Sequence, residues 1–348
     1  MPTYLLDGDS EARISAAPLS VILGTTGNQA AFLLEAASDF ELPVITPKPG
    51  MLVLPRISGR TALRVRPVGA QAFPEGSVVS LTITLNNQSD PDPERIVVSQ
   101  VDVSGLSHRD LVILEPLDGF ISARSSLARF DTALGDLALQ ARVATRELLG
   151  VEHVDATSAI NVVVAIDASA SMLGLTRDGF VSAIVDVLVG VSQVVSPGRD
   201  VSAAIVTSSV RWIESASASG LSAAVRAAQE ETPLTTGFRS AHPGLIGRAP
   251  DQNTVTYIVT DGVPADYAAL EVADTIDGEA RHLVVLGDAT STALAHTPNV
   301  NVTTFDTARL AGVDTADALD ARTLRTLVTA LLQGCFVPGT PYAKKVAS

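Results

Sequence analysis

Cysteine is almost absent from this sequence, which contains a single one, Cys335, in 348 residues. An intramolecular disulfide is therefore excluded, and the sequence predicts a protein of a reducing, cytoplasmic compartment. The first fifteen residues carry acidic side chains and lack the basic, apolar and small-residue order of a signal peptide. Apolar runs stay well short of the roughly 18 residues that a membrane-spanning helix needs, so no membrane span is expected.

Aromatic and basic residues are also scarce. Aromatics make up 4% of the chain, whereas 46% of its residues are hydrophobic, so any core must be built mainly from Val, Leu, Ile and Ala. The 24 Lys and Arg residues face 38 Asp and Glu residues, which gives a formal net charge of -14. With no basic block to displace counterions from phosphates, nucleic acid is not an expected partner, and an anionic membrane surface is equally disfavoured.

What is present is organised around residues 160–173, which read INVVVAIDASASML. Six of the first seven are apolar, which is typical of a strand buried on both faces of a parallel sheet. The strand runs into Asp167, Ser169 and Ser171, and small residues between them let one carboxylate and two hydroxyls face one point. These hard oxygen donors suit Mg²⁺ or another hard divalent cation. An ordinary α/β domain whose strand ends in an Asx-turn would have the same local sequence.

The run DASASM resembles the metal-ion-dependent adhesion site (MIDAS) of von Willebrand factor A (vWA) domains, D-x-S-x-S-M. Residues 254–264, TVTYIVTDGVP, resemble the family's second strand and its T-D-G segment. In residues 232–238, TPLTTGF, Thr236 or its neighbour Thr235 is similar to the threonine that completes the family's metal shell. The resemblance covers about half of the chain. It implies a site for Mg²⁺ (or Mn²⁺ or Ca²⁺) formed by Asp167, Ser169, Ser171, Thr236 and Asp261.

In the vWA family, an Asp or Glu from a partner protein completes the shell of the bound cation. The resemblance therefore implies a protein–protein interaction module and not an enzyme. Neutral hydroxyl ligands leave the charge of a cation uncompensated, so an incoming carboxylate is bound strongly. Intracellular bacterial vWA domains resemble adaptors for AAA+ ATPases or for tellurium-resistance and stress assemblies, an analogy that gives only a class of partner.

Two other interpretations stay open. A metal-dependent hydrolase would use the same cation to activate water. The sequence, however, has no G-x-S-x-G elbow, no P-loop and no H-x-x-x-H spacing, and the histidine nearest to the threonines is His242. Without an evident base, Ser169 and Ser171 are poor nucleophiles. Alternatively, the domain is a structural vWA domain that keeps the loop and no longer uses the metal.

The first part of the chain is predicted to be a β-rich, sandwich-like domain over residues 1–124. Apolar and polar residues alternate in short segments that are separated by turn sequences. These segments are 51–56, 61–68, 77–85 and 95–103, and residues 111–114 are a further candidate. Residues 30–37 fit either a strand or a short helix.

The rest of the chain is predicted to be α/β. Residues 125–149 have apolar side chains at helical spacing and are followed by Gly150, so residues 125–157 are expected to form a connecting helix and linker. Alternating strands and helices over 158–337 predict a doubly wound (Rossmann-like), mostly parallel sheet flanked by helices. Residues 338–348 are expected to form a C-terminal tail.

A second, weaker candidate site lies in the N-terminal half. The segment NNQSDPDPERIVVSQVDVSGLSHRDLVIL resembles part of the TerD-type tellurium-resistance modules, in which an acidic loop beside a strand can bind Ca²⁺. The resemblance implies a second metal site at Asp90, Asp92 and Glu94. An exposed hairpin loop would be equally acidic.

Overall fold

The computed structural model describes residues 3–8, 10–27, 31–86, 93–126, 134–214, 217–233, 239, 253–266, 279–287, 300–307 and 319–347. Internal contacts divide the chain into two units, Met1–Asp131 and Thr132–Ser348. Within these described ranges, no helix is long and apolar enough to cross a membrane.

The described part of the first unit is made of strands. They are β1 (Thr3–Leu5), β2 (Glu11–Ser15), β3 (Leu19–Gly27), β4 (Phe32–Ser38), β5 (Ile45–Lys48), β6 (Met51–Leu54), β7 (Thr61–Pro67), β8 (Ser77–Leu85), β9 (Arg95–Asp102), β10 (Arg109–Leu117) and β11 (Phe120–Ser125). One sheet has the order β1-β9-β8-β3-β6-β5 and the other β2-β11-β10-β7-β4. All neighbouring strands are antiparallel except β1 and β9, which are parallel. We call the first of these two sheets sheet A and the second sheet B.

The two sheets share one hydrophobic core. Strand β8 shows how the sequence builds it, because every second residue from Ser77 to Leu85 is buried and the residues between them are half-exposed. Val21 and Leu81 of sheet A belong to the same buried cluster as Leu63 and Leu114 of sheet B. The predicted β-rich, sandwich-like fold is confirmed, and residues 32–38 form a strand.

The described part of the second unit alternates strands and helices. They are α1 (Asp136–Leu149), β12 (Asn161–Asp167), α2 (Met172–Arg177), α3 (Phe180–Val195), β13 (Ser202–Val206), β14 (Val210–Trp212), α4 (Leu221–Glu231), β15 (Thr254–Thr260), β16 (Glu279–Leu286), β17 (Val300–Phe305), α5 (Ala321–Leu332) and α6 (Pro341–Ala347). Sheet C has the order β14-β13-β12-β15-β16-β17. All its neighbours are parallel except β13 and β14. This order confirms the predicted doubly wound, mostly parallel sheet.

Helix α1 begins later than predicted. Residue Ser125, its expected first residue, is the last residue of strand β11, and the helix starts at Asp136. Its end agrees with the prediction, because Gly150 adopts a left-handed conformation and its N–H caps the carbonyl of Arg146. Helix α1 packs against α3 and α5 inside the second unit. The predicted boundaries at 124 and 157 stay predictions.

Two helices rather than one follow the loop after β12. Gly179 has a φ of 85°, so α2 ends before it and α3 begins after it at Phe180. A left-handed residue cannot lie inside an α-helix, so the two helices are separated at this glycine. Helix α3 is then buried along almost its whole length.

The expected C-terminal tail contains helix α6. Tyr342 donates a hydrogen bond to the Asp155 carboxylate over 3.2 Å, and Lys345 donates to the Leu149 carbonyl at the end of α1. The Tyr342 ring also lies 5.5 Å from that of Phe336. These contacts hold the last residues of the chain against the segment that follows α1.

Candidate metal centre

The candidate site lies where two neighbouring parallel strands end. Strand β12 ends in Asp167, and β15 is followed directly by Asp261. The two strands are paired from Asn161–Thr254 to Ile166–Val259, so both carboxylates reach the same edge of the sheet. Since β13 lies on the other side of β12 and β16 on the other side of β15, this is the topological switch point of the sheet. Ligands of open α/β sheets bind in the crevice at such a point.

Asp167 is the buried anchor of the site, with 2% of its surface exposed. One carboxylate oxygen accepts the backbone N–H of Ser169 at 2.7 Å, which is the bond of an Asx-turn. The other accepts the hydroxyl of Thr260 at 2.7 Å. Burial raises the pKa of the Asp167 carboxyl, the bonds from Thr260 and Ser169 oppose this rise, and the charge of Asp261 adds to it.

The hydroxyls continue from this anchor to the surface. The Ser169 and Ser171 hydroxyl oxygens lie 3.0 Å apart, and Ser171 donates to the Asp261 carboxylate over 3.0 Å. The second bond joins residues that are 90 positions apart in the sequence. An Asx-turn alone would account for Asp167 and Ser169, but it would not bring the Ser171 hydroxyl to Asp261.

The donor set fits a hard cation. Mg²⁺ holds oxygens at about 2.0–2.1 Å in an octahedron, so neighbouring ligands lie about 3 Å apart. The Ser169–Ser171 and Ser171–Asp261 separations of 3.0 Å already have this value. Hydrogen bonds therefore hold the oxygens at the spacing of ligands, and a cation would replace the hydroxyl protons as their common partner.

Two polar residues that the sequence analysis did not single out support the loop. Thr260 bonds Asp167, as described above, and its position directly before Asp261 in the T-D-G segment could have identified it. Gln229 of α4 lies 3.5 Å from the Asp167 carbonyl and accepts the Thr176 hydroxyl of α2 at 3.2 Å. Nothing in the local sequence singles out Gln229, because its role depends on how α4 packs beside the loop.

A groove of about 230 Å³ adjoins the loop. Its apolar lining comes from Ala168, Met172 and Leu173, and Arg177 and Glu230 add opposite charges. Ser169 belongs both to this groove and to the hydroxyl chain, so the groove is continuous with the candidate metal site.

Thr235, Thr236 and His242 lie outside the described residues, and their roles stay predictions. Asp90 and Asp92 of the second candidate site also lie outside them. The carboxylate of Glu94 is within them, and it accepts the Tyr4 hydroxyl at 3.4 Å and the Ser15 backbone N–H at 3.1 Å. These bonds connect Glu94 to β1 and β2.

In the described ranges, no group of three or more His, Cys, Asp or Glu side chains that could hold a metal is found. The candidate site has two carboxylates, and its other described donors are hydroxyls. The two carboxylates balance the formal charge of a divalent cation, and neutral oxygens would have to fill the other positions of a six-oxygen shell.

The comparisons with known proteins include a match to a solved structure. No protein-family model and no curated protein matches the chain. The solved structure is proximal thread matrix protein 1 from the mussel byssus, determined with a zinc-occupied MIDAS motif. It is 14% identical and has a TM-score of 0.32, and the match covers 54% of this chain and 52% of that one. This chain thus spans about half of that protein, and the fold assignment here rests on the strand order of sheet C.

Proposed function

We propose that the second unit is a vWA-type domain that binds a partner protein through a divalent cation. The cation is held by Asp167, Ser169, Ser171 and Asp261, together with Thr236 or Thr235. The observation that carries the proposal is the hydroxyl chain from Ser169 through Ser171 to Asp261 at the switch point of the sheet. It joins the two segments that resemble the family's motif, at the spacing that a metal shell needs.

In this proposal Asp167 anchors the loop, while Ser169 and Ser171 bind the cation at the surface. Asp167 is fixed by Thr260 and by the Ser169 backbone, so its carboxylate is oriented before any cation binds. Ser169 and Ser171 offer neutral oxygens at the surface. A bound Mg²⁺ (or Mn²⁺ or Ca²⁺) would have coordination positions that these residues do not fill, and one of them is open to an Asp or Glu of the partner. The groove beside Ser169 gives room for a side chain next to that acid.

The module acts as an adaptor in this proposal, and binding rather than catalysis is its role. The class of partner, a bacterial stress or tellurium-resistance assembly or an AAA+ ATPase, comes from analogy with intracellular vWA proteins. A cytoplasmic location agrees with a single, buried cysteine. The TerD-like resemblance of residues 86–114 and its Ca²⁺ site are part of the same proposal.

The structural alternative has one observation in its favour. Asp167 already has a hydrogen-bond donor at each oxygen without any cation, so the loop is stable as an Asx-turn. The hydrolase alternative has less support. The carboxylate that bonds the Ser171 hydroxyl is Asp261, which the proposal assigns to the cation, and none of the described histidines bonds Ser169 or Ser171.

The test is a calorimetric titration of the full chain with Mg²⁺ and with Mn²⁺. The wild type is compared with Ser171→Ala, which removes an exposed ligand, and with Asp167→Asn, which removes the anchoring charge and keeps its shape. Asp178→Ala is the matched control, because Asp178 is an exposed carboxylate at the end of α2. We expect saturable one-site binding in the wild type and control, and a loss of at least about tenfold in affinity in both site variants.

Two results would contradict the proposal. One is a wild type that binds neither cation, and the other is a Ser171→Ala variant that binds as the wild type does. If binding is found, a Mg²⁺-dependent pull-down with EDTA elution identifies the partner. Retention that EDTA does not disturb would favour the structural alternative.

A further inference from the structure

The outer face of sheet A has no acidic side chain in its central rows. Strand pairing places Leu5, Val97, Thr82, Ile22 and Met51 in one row across the sheet. The next row holds Thr84, Ser20, Val53 and Ile45, and a third holds Ser80 and Gly24. We call these eleven residues the neutral face.

Two cations adjoin this face. Lys48 is paired with Met51 at the end of the first row, and Arg95 lies between Thr84 and Thr3 in the second. All residues between them are aliphatic, hydroxyl-bearing or glycine. A chain with a net charge of -14 thus has three neighbouring rows without an acidic side chain, and Asp102, paired with Val78 in the following row, borders them.

Most side chains of the neutral face are short. Gly24 lies opposite Ser80, and a Cβ atom at Gly24 would come within 2.5 Å of the Ser80 hydroxyl. The missing side chain lets this hydroxyl lie across the strand. Eight of the eleven residues are Val, Ile, Thr or Ser, and only Leu5 and Met51 have longer side chains.

Large aliphatic side chains are nevertheless exposed on it. Leu5 is 61% exposed, Ile22 44% and Ile45 55%. Single exposed aliphatic residues are ordinary, but several on one face of a sheet are typical of an interaction surface. Strand pairing depends on backbone hydrogen bonds, so the sheet itself does not need apolar side chains at these outward positions.

The outer face of sheet B has the opposite character. Arg64 and Asp110 form an ion pair at 2.6 Å between β7 and β10. Arg66 and Glu35 form another at 2.7 Å between β7 and β4. Further pairs there join Arg60 to Glu115, and Arg13 and Arg124 to Glu11. The same sandwich therefore has one outer face with several ion pairs and one whose central rows are uncharged.

We propose that the neutral face is a dimer interface that is occupied by a second copy of this chain. Copies of so acidic a protein repel each other wherever acidic side chains would meet. Two neutral faces can meet with no unpaired charge buried between them. Lys48, on one edge strand, and Arg95, one strand from the opposite edge, would then lie near the rim, within reach of acidic residues of the second copy.

The dimensions of the face set the strength of the dimer. Six strands about 4.8 Å apart and a length of about six residues cover roughly 500 Å². Two copies would bury about 1,000 Å² in total, which is near the lower limit of a specific interface. A dissociation constant in the micromolar range is the expected result.

The experiment is sedimentation velocity of the full chain from about 1 to about 200 µM, with EDTA and again with Mg²⁺. Ile22→Glu places a charge in the middle of the neutral face, and Thr82→Glu does so from the neighbouring strand. Leu33→Glu is the matched control, because Leu33 is 48% exposed and is paired with Arg66 in sheet B. All three variants change the net charge equally, and thermal melting of dilute samples confirms that each folds.

We expect a dimer in the wild type and in Leu33→Glu, with and without Mg²⁺. Both variants of the neutral face should dissociate at least about tenfold more readily. A wild type that stays monomeric over the whole range overturns the proposal. So does a dimer that Ile22→Glu leaves intact, or one that Leu33→Glu weakens equally. A dimer seen with Mg²⁺ and lost in EDTA would assign the association to the metal centre instead.

Discussion

The two units bury their strands in different ways. In the first, β8 alternates buried and half-exposed residues, since each sheet of the sandwich has an inner and an outer face. In the second, β12 is buried at every position after Asn161. Its residues contribute to two separate hydrophobic clusters, with Val164 in one and Ala165 in the other.

This difference decides where each unit can carry a binding surface. The sandwich can change an outward residue without touching its core, so its faces are free to become charged or neutral. The parallel sheet has no free face at β12 and β15, and the carboxylates of the candidate site lie where these strands end. A binding site in the second unit must therefore be built from loops, as at Asp167 and Asp261.

The largest difference between the stabilities of the two units is expected on acidification. Burial lowers the pKa of His282 from 6.5 to about 4, while its Nε2 lies 2.6 Å from the Thr303 hydroxyl. The unfolded chain binds this proton and the folded unit does not, so stability falls as the pH drops from about 6.5 to 4. The loss attributable to His282 should approach about 3 kcal/mol at pH 4.

The measurement is chemical unfolding of the second unit across this pH range, in the wild type and in His282→Gln. Burial raises the pKa of the Asp167 and Asp186 carboxyls, so these groups stabilise the folded unit at low pH and act in the opposite direction. The difference between the two proteins isolates the histidine. Equal pH slopes in both would contradict the prediction.

Two glycines provide the next comparison. In α3, a Cβ atom at Gly190 would overlap the Ala138 carbonyl of α1 and lie 2.8 Å from the Ala141 Cβ. Because the obstacle includes backbone, Gly190→Ala should destabilise the second unit by about 2 kcal/mol despite the helix preference of alanine.

Gly24→Ala is the matched change in the sandwich. There the added methyl group meets a side-chain hydroxyl, Ser80, which can rotate away. We expect an effect of less than about 0.5 kcal/mol on the first unit. Calorimetric melting of both variants provides the check, and an unchanged transition in Gly190→Ala would show that α1 can move aside.

The smallest difference between the two units is expected for the substitution of a strand valine by threonine. Val163→Thr introduces a hydroxyl into β12, where the residue is 1% exposed, and should cost about 1–2 kcal/mol. Val78→Thr makes the same change at an outward position of β8 and should be nearly neutral. The measurement is the denaturant midpoint of each unit, compared between the wild type and each variant. Equal costs would mean that the outward residues of the sandwich are buried in solution.

The sequence predicts the features that depend on neighbouring residues. The buried strand before Asp167, the oxygens at Ser169 and Ser171 and the T-D-G segment at Asp261 are all visible in short runs. The alternating strands of the sandwich are visible for the same reason. That two loops meet at one edge follows from the rule for parallel sheets.

The features that were missed depend on distant contacts. Strand β2 has two buried residues and exists because β11 pairs with it across more than 100 positions. Helix α6 is held by Asp155, far back in the chain. The break at Gly179 is local, but a glycine inside a periodic apolar pattern gives no indication that its φ is positive.

The position of the candidate centre at the switch point has a consequence for how such a protein evolves. The segments after β12 and β15 form the site, while the pairing that holds the sheet lies behind them. Substitutions in these loops can change the recognised molecule while the sheet keeps its register. Selection can thus act on recognition and on folding through different residues, so descendants of one ancestral gene could acquire new ligands without first losing a stable framework.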